Sequence, residues 1–203
     1  MAVAVSDIKV IHSGLLDYQT AWQLQRKIHE GVANNTEANT LMLVEHPSVF
    51  TAGRRTDLLE RPTDGTPVVD VDRGGRITWH GPGQIVGYPI VKLEKRNEVV
   101  GFVRHLEEAI IKTISDFGLT GIQIEYKTGV WIKNDKGLTM HGFALNVCPD
   151  LTFFDRIVPC GMPEAITTSM QLELGRPISI AEVTPVLEKY MLTALSEVSS
   201  SSK

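Results

Sequence analysis

Cysteine is scarce in this sequence: Cys148 and Cys160 are the two among 203 residues. So few thiols, with no C-x-x-C spacing, argue against a disulfide framework and against a structural zinc site. Long apolar runs are missing as well. No stretch approaches the roughly 20 residues a membrane-spanning helix needs, and Met1-Ala-Val-Ala-Val-Ser-Asp7 has neither the basic start nor the apolar middle of a secretory signal. The expectation is a cytoplasmic protein without a membrane span. Positive charge is not in excess: the net charge of −4 leaves no footprint for nucleic acid. Arg54, Arg55, Arg61, Arg73, Arg76, Lys92, Lys95 and Arg96 do crowd one region of the chain. On charge alone that region reads as solvated surface, although a basic face on an acidic protein would suit an acidic partner. Repeats and low-complexity linkers are absent, so the chain reads as one domain over residues 1–198 with a soft Ser-rich tail at 199–203.

What is present is a concentration of glycine in Asp72-Arg-Gly-Gly-Arg-Ile-Thr-Trp-His-Gly-Pro-Gly-Gln-Ile-Val-Gly-Tyr-Pro89. Gly74 and Gly75 let backbone approach a ligand closely, and Arg73 and Arg76 flank them with guanidinium forks suited to carboxylate or phosphate. His80-Gly-Pro-Gly-Gln84 then reads as a tight turn between a strand at Ile77–Trp79 and another at Gln84–Val91, with His80 at a strand end. A dinucleotide-binding turn is excluded, because the residues after Gly83 continue as a strand and not as a helix; a P-loop is excluded on the same ground. Taken alone, the stretch fits a plain glycine-rich hairpin with a surface histidine as well as it fits an active site.

The rest of the chain alternates strand and helix patterns. Ile8–His12 reads as a strand, Asp17–Val32 as a helix, Thr40–Glu45 as a buried strand and Val49–Ala52 as a short return strand. Val68–Val71 begins the strands that frame the central loop. Asn97–Phe117 carries the firmest helical spacing and stops at Gly118. Ile122–Tyr126, Gly129–Ile132 and Leu138–Val147 read as strands, and Ser179 with Glu182 forms a capping-box pattern ahead of a helix over Ala181–Leu195.

Pro159-Cys160-Gly161 follows an apolar strand end, and its glycine leaves one side of the thiol open. A thiolate attacks thioesters well once a nearby cation or base lowers its pKa from about 8.5. Taken alone, those three residues fit a buried, inert cysteine better, and that is the reading given to Cys148. Together, however, His80-Gly-Pro-Gly-Gln, His141-Gly-Phe-Ala-Leu-Asn146 and Pro159-Cys160-Gly161 resemble the octanoyltransferases, the lipoate-protein ligase B family. The resemblance also takes in Thr51-Ala-Gly-Arg-Arg-Thr56, Arg73-Gly-Gly-Arg-Ile-Thr-Trp-His80, Tyr88-Pro89 and Thr168-Ser169, so it covers nearly the whole chain.

That resemblance implies an α+β fold of the biotin/lipoate ligase type, a mixed β-sheet flanked by helices. It implies transfer of an octanoyl group from the phosphopantetheine thioester of acyl carrier protein to one lysine of a lipoyl domain. Such domains belong to the E2 subunits of 2-oxoacid dehydrogenases and to the glycine cleavage H protein. By analogy Cys160 carries the acyl group as a thioester. Arg73, Gly74, Gly75, Arg76, Ile77, Thr78, Trp79 and His80, with His141, Gly142, Phe143 and Ala144, would line the acyl and carbonyl site. No nucleotide, metal or other cofactor is implied. An ATP-dependent lipoate or biotin ligase on the same scaffold is disfavoured, since it needs no nucleophilic Pro-Cys-Gly; a zinc site from His80, His141 and Cys160 ranks lower still.

The chain departs from the family at one place. The family pairs its cysteine with a lysine in a Lys-Ile/Val-Ala-Ala-Ile-Gly segment between the Gly-Val-Trp strand and the His-Gly-Phe-Ala strand. Here Gly129-Val-Trp-Ile132 passes through Lys133-Asn-Asp-Lys136 almost directly into Gly137-Leu-Thr-Met-His141. Lys136 stands where the lysine is expected, without the Ala-Ala-Ile-Gly after it. Two readings follow: residues are missing from the chain as read, with Lys136-Gly137 as the seam, or the segment is truly lost. The first is preferred, because deleting an element from inside a sheet is more disruptive, and it makes Lys136 the activating cation. On the second, Lys136 is a solvated turn charge and the chain binds its ligands without turning over.

Overall fold

The computed structural model describes residues 8–93, 99–124, 127–132, 143–158 and 166–199. Its strands are β1 (Lys9–Leu15), β2 (Thr40–Glu45), β3 (Val49–Ala52), β4 (Val68–Asp70), β5 (Thr78–His80), β6 (Gln84–Ile90), β7 (Gly121–Ile124), β8 (Lys127–Ile132) and β9 (Phe143–Asn146). The α-helices are α1 (Tyr18–Ala33), α2 (Val99–Asp116), α3 (Met170–Leu174) and α4 (Ile180–Val198), with 3₁₀ turns at Leu58–Glu60 and Leu151–Arg156. A mixed sheet runs in the order β1-β2-β6-β9, a smaller one in the order β4-β3-β5, and β7 and β8 form a two-stranded antiparallel pair. This is the expected α+β architecture with mixed sheets flanked by helices.

Why the larger sheet sits in the middle can be read from β2. Its residues Thr-Leu-Met-Leu-Val are buried without a gap, since successive side chains point to opposite faces and both faces are covered. Leu41 and Leu43 join Ile85, Leu145 and the inward stripes of α2 (Leu106, Ile110, Ile114) and α4 (Leu187, Met191, Leu195). Met42 and Val44 join Val86 and, from α1, Ala21. At about 1.5–3 kcal/mol per fully buried large apolar side chain, this two-sided packing is what makes β2 and β6 the centre of the fold.

Local chemistry sets the ends of the helices. The Asp17 carboxylate accepts the Thr20 N–H at 3.0 Å and opens α1. Ser179 and Glu182 form the expected reciprocal capping box at α4. After α2, Gly118 takes φ +89°, a left-handed conformation open to glycine.

Two expectations change, and one element was not foreseen. The turn at 81–83 joins two strands as read, but they do not form the hairpin that was one reading of this stretch: β5 pairs antiparallel with β3 while β6 pairs with β2 and β9. The turn therefore carries the chain from the small sheet to the large one. Ser199, expected to begin the tail, is 5% exposed and bridges Leu93. The short helix α3 had no helical period in the sequence; five residues capped by Ser169 and Gly175 are too few to show one. Of the strand read over Leu138–Val147, the part from Phe143 is present as β9, and 138–142 lie outside the described residues. Among the described residues no helix is long and apolar enough to cross a membrane.

Candidate active site

The glycine-rich stretch is pinned from several sides. Arg73 does not present its fork outward: Nη1 donates to the carbonyls of Gly74 (3.1 Å) and Arg76 (2.9 Å), and Nη2 to the Thr51 carbonyl (2.9 Å) and hydroxyl (3.0 Å). The backbone N–H groups of Arg54 and Arg55 bond to the carbonyls of Arg73 and Gly75. The Arg76 guanidinium pairs with Glu60. Both arginines, read as anion forks, are thus engaged within the protein, Arg73 holding the loop against β3 and Arg76 tying it to the 3₁₀ turn at Glu60. The close approach is why residue 53 is glycine, since a Cβ there would lie 2.5 Å from the Gly75 carbonyl oxygen.

Along β5 the side chains alternate. Ile77, just before the strand, and Trp79 enter a second apolar cluster with Phe50, Phe154 and Ile157. Trp79 stacks on Phe153 with ring centroids 4.8 Å apart, meets Phe154 edge-on, and donates its indole N–H to Ser48 Oγ at 2.9 Å. These two of the expected lining residues are packing residues in the structure. Thr78 and His80 are buried as well, with His80 only 6% exposed.

The turn after His80 is held by three main-chain contacts. Gly83 donates its N–H to Glu45 Oε2 at 2.9 Å, and its carbonyl accepts from Val147 (3.1 Å) and Cys148 (3.0 Å). Gly83 has φ +86°, and a Cβ on it would meet the Cys148 and Pro149 main chain at 2.7 Å. β6 and β9 therefore leave this corner in fixed register, pairing Gln84 with Asn146 and Gly87 with Phe143.

His80 sits in an aromatic corner. Its ring stacks with Tyr18 at 6.2 Å and lies edge-on to His46 at 5.9 Å. Nδ1 contacts Gln84 Oε1 at 2.7 Å. Burial, only partly offset by the Gln84 bond and reinforced by the positive fields of His46 and Arg73, pushes its pKa down to about 3. His80 is a neutral imidazole at physiological pH. His46 is 0% exposed, and its two nitrogens contact the Leu16 carbonyl (2.7 Å) and the Tyr88 hydroxyl (2.9 Å). Burial holds its pKa down too, and raises those of the Tyr18 and Tyr88 phenols.

Phe143, the first residue of β9, is buried with its ring over Gly87, where a Cβ would lie 2.1 Å from the ring. Tyr88, Pro89, Phe102, Leu106, Ile110 and Phe143 border an apolar cavity of about 240 Å³. Ala144 lies on the other face beside Val86 and Tyr88. Cys160, Lys136, His141 and Gly142 lie outside the described residues. On the two sides of Cys160, Ile157 is anchored in the Trp79 cluster and the Thr168 carbonyl accepts from Asn146 Nδ2 at 3.0 Å. Cys148, given the inert reading, is a free thiol of intermediate exposure, its pKa pushed up by burial and by the Glu45 carboxylate.

The sequence reading did not single out Tyr18, His46, Tyr88, Gln84 or Asn146 as site residues. Gln84 had a usable signal, four residues past His80 across a turn. The others reach the corner from α1, the end of β2, β6 and β9, and only their contacts reveal it.

Residues 17–192 match the model of the lipoyl protein ligase A/B catalytic domain. An octanoyltransferase from Salinispora arenicola is 47% identical over 95% of this chain and 98% of its own length, and one from Acidothermus cellulolyticus is 49% identical over 90% and 91%. The Salinispora alignment runs over 209 positions, yet 95% of 203 residues is about 193, so about 16 positions face no residue of this chain. Among solved structures, a bipartite lipoate protein ligase from Thermoplasma acidophilum superposes with a TM-score of 0.66 at 16% identity, covering 93% of this chain and 84% of that one. At that identity the likeness shows the fold alone. The chain belongs to the lipoyl protein ligase A/B catalytic domain family, within its octanoyltransferase group.

Proposed function

We propose that this protein transfers an octanoyl group from the thioester of an acyl carrier protein to a lysine amine of a lipoyl domain, with Cys160 as the intermediate acceptor. The observation that carries the reading is the near full-length match, at 47–49% identity, to proteins named octanoyltransferase. In the first half-reaction the Cys160 thiolate attacks the thioester carbonyl. A new C–S bond forms, the carrier's C–S bond breaks, and the carrier thiolate leaves and takes up a proton. In the second, the lysine amine attacks the acyl-cysteine; the amide C–N bond forms, the Cys160 thiolate is expelled, and the amine's proton is released. Thioester exchange is nearly balanced and amide formation is downhill, so neither ATP nor a cofactor enters.

Lys136 is assigned the role of the cation that stabilises the Cys160 thiolate. The apolar cavity beside Tyr88 and Phe143 is of a character to take a saturated chain. Lipoyl domains of 2-oxoacid dehydrogenases and of the glycine cleavage system are the assigned acceptors, in a cytoplasmic setting.

The test uses the full chain with octanoyl-loaded carrier and apo lipoyl domain in the absence of ATP. Octanoyl amide on the acceptor lysine, with a transient octanoyl mass on Cys160 that Cys160→Ser abolishes, is the expected result. An ATP requirement, or activity that survives Cys160→Ser, overturns it in favour of a ligase. The direct passage from Lys136 to Gly137, without the Ala-Ala-Ile-Gly of the family, favours a second reading, a chain that binds the carrier or acyl group without completing transfer. Acylated Cys160 with no product amide would mark that outcome.

A further inference from the structure

The hydrogen bonds leading away from His80 form one directed chain whose far end decides its near end. The Thr168 main-chain carbonyl can only accept, so the Asn146 atom 3.0 Å from it is the donating Nδ2. Asn146 Oδ1 then faces Gln84 at 2.8 Å and must receive a proton from Gln84 Nε2. The same Nε2 lies 3.5 Å from the Trp79 carbonyl, a second group that can only accept, so a flipped Gln84 amide would set oxygen against oxygen at two places. Gln84 Oε1 is thereby turned to His80 at 2.7 Å, and His80 Nδ1 must carry the hydrogen. Nε2 is left as a lone-pair acceptor, and no hydrogen bond engages it among the described residues.

His46, the other buried imidazole of the corner, cannot play this part. Its Nδ1 donates to the Leu16 carbonyl and its Nε2 accepts from the Tyr88 hydroxyl, so both nitrogens are committed.

We propose that Gln84 and Asn146 are positioning residues of the acyl-transfer site, holding His80 as the Nδ1–H tautomer with Nε2 free to accept a hydrogen bond from a reacting group. The role rests on the octanoyl-transfer reading; the tautomer does not. The groups facing His80 are consistent with a neutral ring: the Tyr18 phenol from α1, the His46 imidazole from the end of β2, and the Arg73 guanidinium from the central loop. None of them is an anion that would favour imidazolium. Burial acts in the same direction. Asn146 also ties β9 to Thr168, so one side chain sets both the His80 tautomer and the place where the chain returns from the Cys160 segment.

The experiment is side-chain nitrogen NMR of the full chain labelled with ¹⁵N-histidine, alongside transfer rates from pH 5.5 to 8.5. In the native protein His80 is expected to show Nδ1 protonated and Nε2 unprotonated throughout. Asn146→Leu removes the acceptor that orients Gln84 and should give a mixture of tautomers. Gln84→Glu places a carboxylate on Nδ1–H and stabilises imidazolium. The variant-to-native rate ratio should then fall about tenfold per pH unit below the raised His80 pKa, a limb that a merely destabilised protein would not show. An Nε2–H tautomer in the native chain, or an unchanged tautomer in Asn146→Leu, refutes the relay whatever the activity. Intact tautomers with a pH-independent rate ratio for Gln84→Glu, in a chain that does transfer octanoyl, refute its part in the reaction. No octanoyl transfer in the native chain refutes the functional reading and leaves the tautomer to be decided by the spectra alone.

Discussion

Acid should destabilise this protein through His80 by an amount the structure allows to be calculated. The folded pKa of His80 is pushed down to about 3 by burial, against an ordinary value of 6.5. As pH falls below 6.5 the unfolded chain takes up a proton at this position and the native one does not, so stability present above that range is lost progressively toward pH 3. Between pH 7 and pH 5 a group with these two pKa values removes about 2 kcal/mol. His80→Gln carries no titrating ring and should lack that slope. The assay is urea unfolding of both proteins at pH 7 and pH 5, with equal m-values as the check that the same surface is exposed. The native protein should lose about 2 kcal/mol more than the variant between the two pH values. His46, lowered in the same direction by burial, is common to both proteins and cancels in the difference. Equal losses would refute the reading of His80 as a neutral, water-excluded ring; so would a titration of its ring nitrogens near pH 6 in the native state.

Gly83→Ala forces a side chain into left-handed backbone and against the Cys148–Pro149 main chain. It should cost about 3 kcal/mol and lower the melting temperature by roughly 10 °C, read by thermal unfolding. Arg73→Lys keeps the charge but cannot reach Thr51, Gly74 and Arg76 at once. A loss of about 1–3 kcal/mol is expected, with faster hydrogen exchange at the Arg54 and Arg55 amides, which bond to the Arg73 and Gly75 carbonyls. Cys148→Ala should leave octanoyl transfer unchanged and shift stability by less than about 1.5 kcal/mol. Its thiol in the native chain should alkylate slowly near neutral pH, because burial holds it protonated.

The packing of glycine with aromatic residues shows why part of the site was legible and part was not. Gly53, Gly83 and Gly87 stand out in the sequence as glycines, yet what each one makes room for is backbone or a ring from elsewhere: the Gly75 carbonyl, the Cys148 main chain and the Phe143 ring. The motif around Arg73 was equally visible, and its chemistry suggested an anion fork. Only the fold shows that Thr51 and the loop's own carbonyls take up those donors.

By itself the sequence determined the elements and the kind of chemistry. Apolar runs and periods placed β2, α1, α2 and α4, capping residues placed the helix ends, and three short motifs carried the resemblance to the octanoyltransferases. These are signals carried within a few residues, where side chains repeat every two or every 3.6 positions and a cap reaches its own first turn. Tertiary structure alone decided which sheet each strand joined, that Arg73 braces a loop, and that His80 is oriented by Gln84 and Asn146. The last contact spans 62 residues and that between His46 and Tyr88 spans 42. No local rule couples such distant positions; they meet because burying both faces of β2 and β6 brings α1, β2 and β9 to one corner, where polar groups cut off from water must find each other.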